Sequence, residues 1–328
     1  MRAYRMQAVD GQLELQLLEV GRPEPGPGQL LLRVRAAGLN RGEFIAGHGL
    51  HGKSGSAKPV GTEASGEVVS LGAGVDRWQI GDRAMGRCAG AFADFALMDI
   101  REAMAMPMAL DWQHAAAIPL TGLVVYDMLV TQGRLRAGET LLVAGVSSGV
   151  GVAALQAAKV LGARVIGTSG SADKLARLKD LGLDLGINTR GPDFHQQVQL
   201  ATDGRGADLV IDAVGGTVFA ECVRSLAFQG RLVMVGYVDG VLHAELDLEA
   251  LHAKRLHLFG VSNKLRSPEQ RAEPVPGFKA DWLPLFASGQ IVPVVDQVCA
   301  FEDLTEAKAS MEAGRHLGKI VLNGSVDC

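Results

Sequence analysis

Residues 139–170 read ETLLVAGVSSGVGVAALQAAKVLGARVIGTSG. An apolar run at 141–144 meets a small-residue turn from Gly145 to Gly151. Val152, Leu155, Ala158 and Leu161 then recur at helical spacing up to Gly162, and a second apolar run follows at 164–167. Strand, glycine turn, helix and strand make one βαβ unit. Such a turn lets a pyrophosphate approach backbone N–H groups at the positive end of a helix. In the register G-x-G-x-x-G the first two positions hold Val146 and Ser148; only Gly151 is kept, with Gly149 between. The glycines alone are a weak motif, and the βαβ context carries it.

The chain of 328 residues is long enough for two domains and for a core that needs no staples. Its net charge is −4, from 32 basic and 36 acidic residues that do not cluster. That argues against nucleic acid or an anionic membrane as partner. Aromatic residues are only 5% of the chain, which leaves no stacking platform for bases. Cys88, Cys222, Cys299 and Cys328 lie far apart, with no C-x-x-C. Neither a zinc ribbon nor a redox pair is supported, and free thiols in a reducing compartment are the simplest reading. The start, MRAYRMQAVDG, lacks the apolar core of a signal peptide, and no run approaches about 18 apolar residues. A cytoplasmic location is expected.

The first third reads as β-rich, with strands expected at 30–36, 66–71, 84–85 and 93–98. Glycines at 61, 66, 72, 74, 81 and 86 punctuate it as in a small barrel or folded sheet. From residue 111 the texture changes. Strands are expected at 141–144, 164–167, 185–187, 208–212, 231–235 and 256–260, with helical patterns between them. This alternation predicts a doubly wound parallel sheet, so the fold class is α/β. The last segment reads as a helix, a strand-like IVPVV at 291–295, a helix over 302–313 and a short strand GKIVL at 318–322. It is expected to rejoin the first domain.

Several segments together resemble the medium-chain dehydrogenase/reductase superfamily, in particular its zinc-free quinone oxidoreductase, or zeta-crystallin-like, branch. They are AAGLNRGEF (36–44), PVGTEASGEVVSLGAGVDRWQIGDRA (59–84), GAFADFALMD (90–99), AAAIPLTGLVVYDML (115–129), AGVSSGVGVAALQAAKVLGA (144–163), GADLVIDAVGG (206–216) and GKIVL (318–322). The match runs over nearly the whole chain. The resemblance implies a GroES-like β-barrel catalytic domain at residues 1–118 and 264–328. It implies a Rossmann NADPH-binding domain at residues 119–263, with the active site in the cleft between them.

Zinc alcohol dehydrogenases of this superfamily place a Cys in the segment matching GLNRGE, a His before the Glu of GTE, and a third ligand just before TGLVVY. Here those places hold Asn40, Thr62 and Leu120. None is a thiolate, imidazole or carboxylate, so no metal is expected. Without a Lewis acid, a substrate that spreads its own developing charge is favoured. Quinones and α,β-unsaturated carbonyls do so.

NAD-specific Rossmann domains carry an acid roughly 20 residues beyond the glycine turn. Here the second strand ends Gly167-Thr168-Ser169-Gly170-Ser171, without one. Small hydroxyl residues, here Thr168 and Ser169, would meet a 2′-phosphate, followed by Lys174, and NADPH is expected as in relatives reading G-T-x-G-x-x-x-K. Lys174 is otherwise a solvated helix lysine, and Arg190 is a second candidate cation. By matching position, Ser148, Gly149, Val150 and Gly151 would cradle the pyrophosphate. Ala213 and Val214 would border the adenosine side. Gly236 and Tyr237 would approach the ribose or nicotinamide, although Tyr237 reads equally well as packing. Ser262 and Asn263 follow the sixth strand.

The resemblance puts Asn40 near the nicotinamide, where it orients the cofactor or bonds a substrate oxygen; its alternative role is to cap a turn before Arg41 and Gly42. Many relatives carry a tyrosine a few residues later. Here FIAGHGLHGKSGSAKP has none, and His48 is the available donor; an unperturbed imidazole titrates near neutrality. Thr121 is expected to touch the nicotinamide carboxamide, Tyr126 to pack, and Arg41 and Glu63 to form a polar pair. The resulting expectation is an NADPH-dependent reductase of quinones or activated C=C bonds, working as a homodimer. The alternatives are a 2-enoyl-thioester reductase, for which Lys53 and Lys58 are thin support, and a non-catalytic NADPH-binding sensor or scaffold. The stretch VLHAELDL, 241–248, reads as dimer contact or surface hairpin.

Overall fold

The computed structural model describes residues 1–9, 12–45 and 57–324. The chain divides into two compact units, Met1–Leu123 with Asn263–Cys328, and Val124–Ser262.

In the first unit, β1 (Arg2–Val9) and β2 (Gln12–Glu19) pair antiparallel from Arg2↔Glu19 to Val9↔Gln12, with the short β4 (Lys58–Pro59) on the other side of β1. The long β3 (Gln29–Gly38) organises the second sheet. It pairs with β5 (Glu63–Leu71) along its length, with β7 (Phe95–Asp99) near its start, and with β16 (Lys319–Asn323) at its end. Beyond β5 lie β6 (Arg83–Arg87) and β8 (Ala103–Ala105); beyond β16 lies β15 (Val295–Cys299). The returning C-terminus is thus a strand of this sheet. The core gathers Tyr4, Val34, Leu39, Phe44, Phe92, Leu304 and Ile320 from both ends of the chain. This is the GroES-like part of an α/β fold.

The second unit is a six-stranded parallel sheet: β9 (Thr140–Ala144), β10 (Arg164–Ser169), β11 (Leu185–Asn188), β12 (Ala207–Asp212), β13 (Leu226–Met234) and β14 (His257–Gly260). The order β11-β10-β9-β12-β13-β14 is the doubly wound order, which reverses between β9 and β12. The helix Gly149–Val160 starts because the Ser148 hydroxyl accepts the Gly151 N–H at 3.0 Å. It ends because Gly162 takes φ 79°, a left-handed conformation cheap only for glycine. Its Val152, Leu155 and Ala158 are buried, as the spacing predicts.

Four expectations are corrected. The strand expected at 291–295 begins only at Val295; Pro293 has no N–H to give to a ladder. Residues 241–247 form no hairpin, and Asp247 instead caps the helix Leu248–Ala253 by accepting the Ala250 N–H. Ala93 lies outside β7 and makes an isolated bridge with Ala3. The Arg41–Glu63 pair does not form: the Arg41 guanidinium donates to the Met311 and Glu312 carbonyls, and Glu63 is held by Lys319.

Candidate functional site

In the second unit the glycine turn, the end of β10 and the loops after β12 and β13 lie together at the carboxyl ends of the central strands. The turn after β9 puts Gly145 at φ 84°. A methyl group built there falls 3.4 Å from a Val214 methyl and 3.8 Å from Cβ of Ala213, so the loop after β12 lies against the glycine turn. Gly236, after β13, approaches the Ala213 carbonyl in the same way, at 3.7 Å. The Gly149 and Val150 N–H groups, in the first turn of the helix, have no carbonyl one turn back and suit an anion. Gly151 is needed for closeness: a methyl there falls 2.6 Å from the Gly145 and Val146 carbonyl oxygens.

The hydroxyls of Thr168 and Ser169 are turned inward. Thr168 accepts the Gly145 N–H at 3.2 Å, and Ser169 shares a hydrogen bond with Ser147 at 3.1 Å. They hold the glycine turn to β10. The outer face is Gly170, where a methyl would sit 2.4 Å from Cγ and Nε of Arg190. Arg190 therefore lies across the end of β10. Ser171 caps the next helix, Ala172–Lys179, whose third residue is the half-buried Lys174. These residues suit a 2′-phosphate: a guanidinium lies across a side-chain-free backbone, the next helix carries Lys174 in its first turn, and no acid stands at the strand end. Tyr237 is half-buried, Ser262 is exposed, and Asn263 is the first residue of the returning first unit.

Asp212, at the end of β12, is fully buried, and its Oδ1 accepts the Val214 and Gly215 N–H groups at 2.9 Å. Burial raises its pKa to about 6. Nothing in the sequence reading assigned it a role. Structurally, it ties the loop carrying Ala213 and Val214.

In the first unit the three positions that match zinc ligands lie in one buried polar network. Lys319, on β16, spends its three ammonium hydrogens on the Leu39 carbonyl at 2.9 Å, Asn40 Oδ1 at 2.7 Å and Glu63 Oε1 at 2.7 Å. Glu63 has no exposed surface. Its Oε1 also accepts Asn40 Nδ2 at 2.9 Å, and its Oε2 accepts the Leu120 N–H at 2.7 Å, capping the helix Pro119–Tyr126. Glu43 Oε2 accepts the Asn40 N–H at 3.1 Å, and its Oε1 accepts the Thr62 hydroxyl. Asn40 does cap a short 3-10 turn, Arg41–Phe44. Its amide is also oriented, with Oδ1 to Lys319 and Nδ2 to Glu63.

The residues here do not fit zinc. An amide, a hydroxyl and an aliphatic side chain stand at the ligand positions, and an ammonium group lies among them. Among the described residues no cluster of three or more His, Cys, Asp or Glu is placed to hold a metal. Thr121 is buried one residue after Leu120, and Tyr126 is buried as expected. His48 lies outside the described residues. Sequence reasoning missed Lys319 and Glu43; the available signal was a lysine opening the apolar strand 319–322, which is costly unless paired.

Burial, opposed by the Thr62 and Asn40 hydrogen bonds, raised by Glu63 and lowered by Lys319, pushes the Glu43 pKa to about 7 from 4.5. The folded value lies above the unfolded one. Stability from this group is therefore full below about pH 4.5 and is lost as pH rises to about 7, on the order of 3 kcal/mol. Glu43→Gln, neutral throughout, should flatten that slope in urea unfolding. An unchanged difference between pH 4.5 and 7 would place the titrating group elsewhere.

Comparisons with known proteins agree with this architecture. The alcohol dehydrogenase GroES-like domain family matches residues 26–108, and the zinc-binding dehydrogenase family matches residues 149–273. The human synaptic vesicle membrane protein VAT-1 homolog is 30% identical over 95% of this chain and 83% of its own length. A highly reducing polyketide synthase of Purpureocillium lilacinum is 31% identical over 90% of this chain, which spans only 12% of that protein. Among solved structures, a mycobacterial protein complexed with NADPH is 27% identical, with TM-score 0.89 over 98% of this chain and 100% of its own. A quinone oxidoreductase of Pseudomonas syringae pv. tomato is 27% identical, with TM-score 0.85 over the same shares. The chain belongs to the medium-chain dehydrogenase/reductase superfamily and is an oxidoreductase of that family with a nucleotide-binding domain. No helix among the described residues is long and apolar enough to cross a membrane.

Proposed function

We propose that this protein is an NADPH-dependent, zinc-free reductase that transfers hydride to quinones or to the activated C=C bond of α,β-unsaturated carbonyls. One observation carries the reading. The residues around Asn40 form an ammonium–carboxylate–amide network in place of a metal ligand set. Without a Lewis acid, the substrate itself must delocalise the charge that hydride delivers. Catalysis then rests on positioning and on the electron demand of the substrate. NADPH, when bound, supplies the hydride; Gly149, Val150 and Gly151 would hold its pyrophosphate, and Lys174 and Arg190 its 2′-phosphate. Asn40 and Thr121 would face the nicotinamide.

Cofactor oxidation with a panel of quinones and enones tests the reading. Rates should rise as the acceptor becomes more electron-poor, and aliphatic alcohols should give no turnover. The purified protein should hold no stoichiometric zinc and should keep its activity after chelation; zinc whose removal abolishes turnover would overturn the reading. Hydrogen bonds to charged groups are worth about 1.5–3 kcal/mol each. Lys174→Ala and Arg190→Ala should therefore each weaken NADPH by roughly 10–100-fold and leave NADH nearly unchanged. Equal losses for both cofactors would remove these residues from 2′-phosphate recognition.

The polyketide synthase similarity favours one second reading, a 2-enoyl-thioester reductase. A coenzyme A enoyl thioester turning over with higher kcat/KM than a free enone would select it. The proposal includes a cytoplasmic homodimer. β14 is an edge strand of its sheet and supports edge-to-edge pairing of two copies.

A further inference from the structure

Zinc does not suit the positions of Asn40, Thr62 and Leu120, yet a cation stands among them. The Lys319 ammonium has three hydrogens and three acceptors: the Leu39 carbonyl at 2.9 Å, Asn40 Oδ1 at 2.7 Å and Glu63 Oε1 at 2.7 Å. All are oxygens, from a backbone carbonyl, an amide and a carboxylate. That is the donor set of a hard cation, whereas zinc favours thiolate and imidazole. The set is built into the core. Glu63 is 0% exposed and Lys319 6%. Gly38 makes room for the carboxylate: a methyl built there falls 2.5 Å from Glu63 Oε1 and 2.7 Å from the Ala116 carbonyl oxygen. Val321 pairs with Gly38 in the ladder between β16 and β3, and the Leu39 N–H donates to the Ile320 carbonyl, which brings Lys319 beside Leu39 and Asn40.

We propose that the Leu39 carbonyl, the Asn40 amide oxygen and the Glu63 carboxylate form a cation site, and that the Lys319 ammonium is its resident cation, carried in on its own side chain. The ammonium supplies charge and orientation and is no Lewis acid, because a nitrogen with four bonds has no orbital open to an electron pair. Lys319 is thus a positioning residue. It holds Glu63 Oε1, while the other oxygen of that carboxylate caps the helix Pro119–Tyr126 through the Leu120 N–H, one residue before Thr121. It holds Asn40 Oδ1, which turns Nδ2 toward Glu63. The Asn40 N–H and the Thr62 hydroxyl meet on Glu43. The three positions that match zinc ligands are therefore organised around one ammonium group. With the tether cut, the same shell should take a free alkylammonium of matching length. The cation site stands apart from the reductase reading, and only its turnover readout rests on that reading.

Chemical rescue tests the site. Lys319→Ala keeps Cβ, and n-propylammonium supplies the three carbons and the ammonium group that the substitution removes. A ligand that binds only the folded state stabilises it by mass action. The melting temperature of Lys319→Ala should therefore rise with n-propylammonium concentration. Tetramethylammonium at the same ionic strength, charged but without an N–H, should give no rise. Neither should 1-propanol, which fills the space without charge. The wild type, whose site is filled, and Lys319→Ala/Glu63→Gln, which lacks the anion, should not respond. Turnover of an enone by Lys319→Ala should rise about 10-fold or more with n-propylammonium, the worth of one charge-assisted hydrogen bond.

Equal stabilisation by tetramethylammonium, an equal response in the Glu63→Gln background, or no response to n-propylammonium would overturn the cation site. A rescued melting temperature with unrescued turnover would refute the positioning role. Should Lys319→Ala fold poorly by itself, its refolding yield from urea in the two ammonium salts makes the same comparison. If the wild type oxidises NADPH with neither enone nor quinone, the reductase reading falls, and the melting temperatures alone decide the cation site.

Discussion

Lys319→Met is expected to destabilise the protein by about 3–5 kcal/mol, the cost of breaking a buried ion pair from one side. The lysine is 6% exposed and Glu63 is 0% exposed, so neither charge has water to fall back on. Losing the ammonium leaves the Glu63 carboxylate, Asn40 Oδ1 and the Leu39 carbonyl short of one donor each. Urea unfolding measures the cost. The double variant Lys319→Met/Glu63→Gln should be no more than about 1 kcal/mol worse than the worse single variant, because the unpaired charge is gone. Fully additive losses would show that the two groups act independently. Turnover should fall alongside stability, since the Lys319–Glu63 pair fixes which end of the Asn40 amide faces which neighbour.

Gly151→Ala is expected to have its largest effect on the cofactor. The new methyl would lie 2.6 Å from two backbone carbonyl oxygens, those of Gly145 and Val146. No rotamer change relieves a clash with backbone, so the glycine turn must move away from the start of the helix Gly149–Val160. That displaces the Gly149 and Val150 N–H groups from the pyrophosphate position. NADPH affinity should fall by at least about 100-fold, near 3 kcal/mol, with a further 1–3 kcal/mol of stability lost to overpacking. Calorimetric titration with NADPH checks the first and thermal unfolding the second. Unaltered NADPH binding would remove this turn from the cofactor site.

The doubly wound half was legible because its signals are local. Leu141 to Ala144, the small-residue turn, the apolar spacing of Val152, Leu155 and Ala158, and Gly162 as a stop all lie within one short stretch. Each acts through backbone geometry or burial that a single element decides. The pairing of β1 with β2 had a comparable signal, the Asp10-Gly11 dipeptide between two β-favouring runs, which is a strong hairpin mark. The IVPVV segment misled because β-branched residues outweighed the missing N–H of Pro293.

The site divides along the same line. That Asn40, Thr62 and Leu120 are poor zinc ligands, and that no acid ends β10, follow from residue identity alone, because ligand chemistry and charge belong to the side chain wherever it lies. What fills those places depended on the tertiary structure. Lys319 stands 256 positions from Glu63 and 279 from Asn40, and only the return of the C-terminus as β16 beside β3 brings them together. Tertiary packing decides the second unit as well: there it turns Thr168 and Ser169 inward to hold the glycine turn and lays Arg190 across Gly170. It also buries Glu43 against Thr62, far enough from water to keep a proton near neutrality. Desolvation is a property of the assembled core, and no local pattern encodes it.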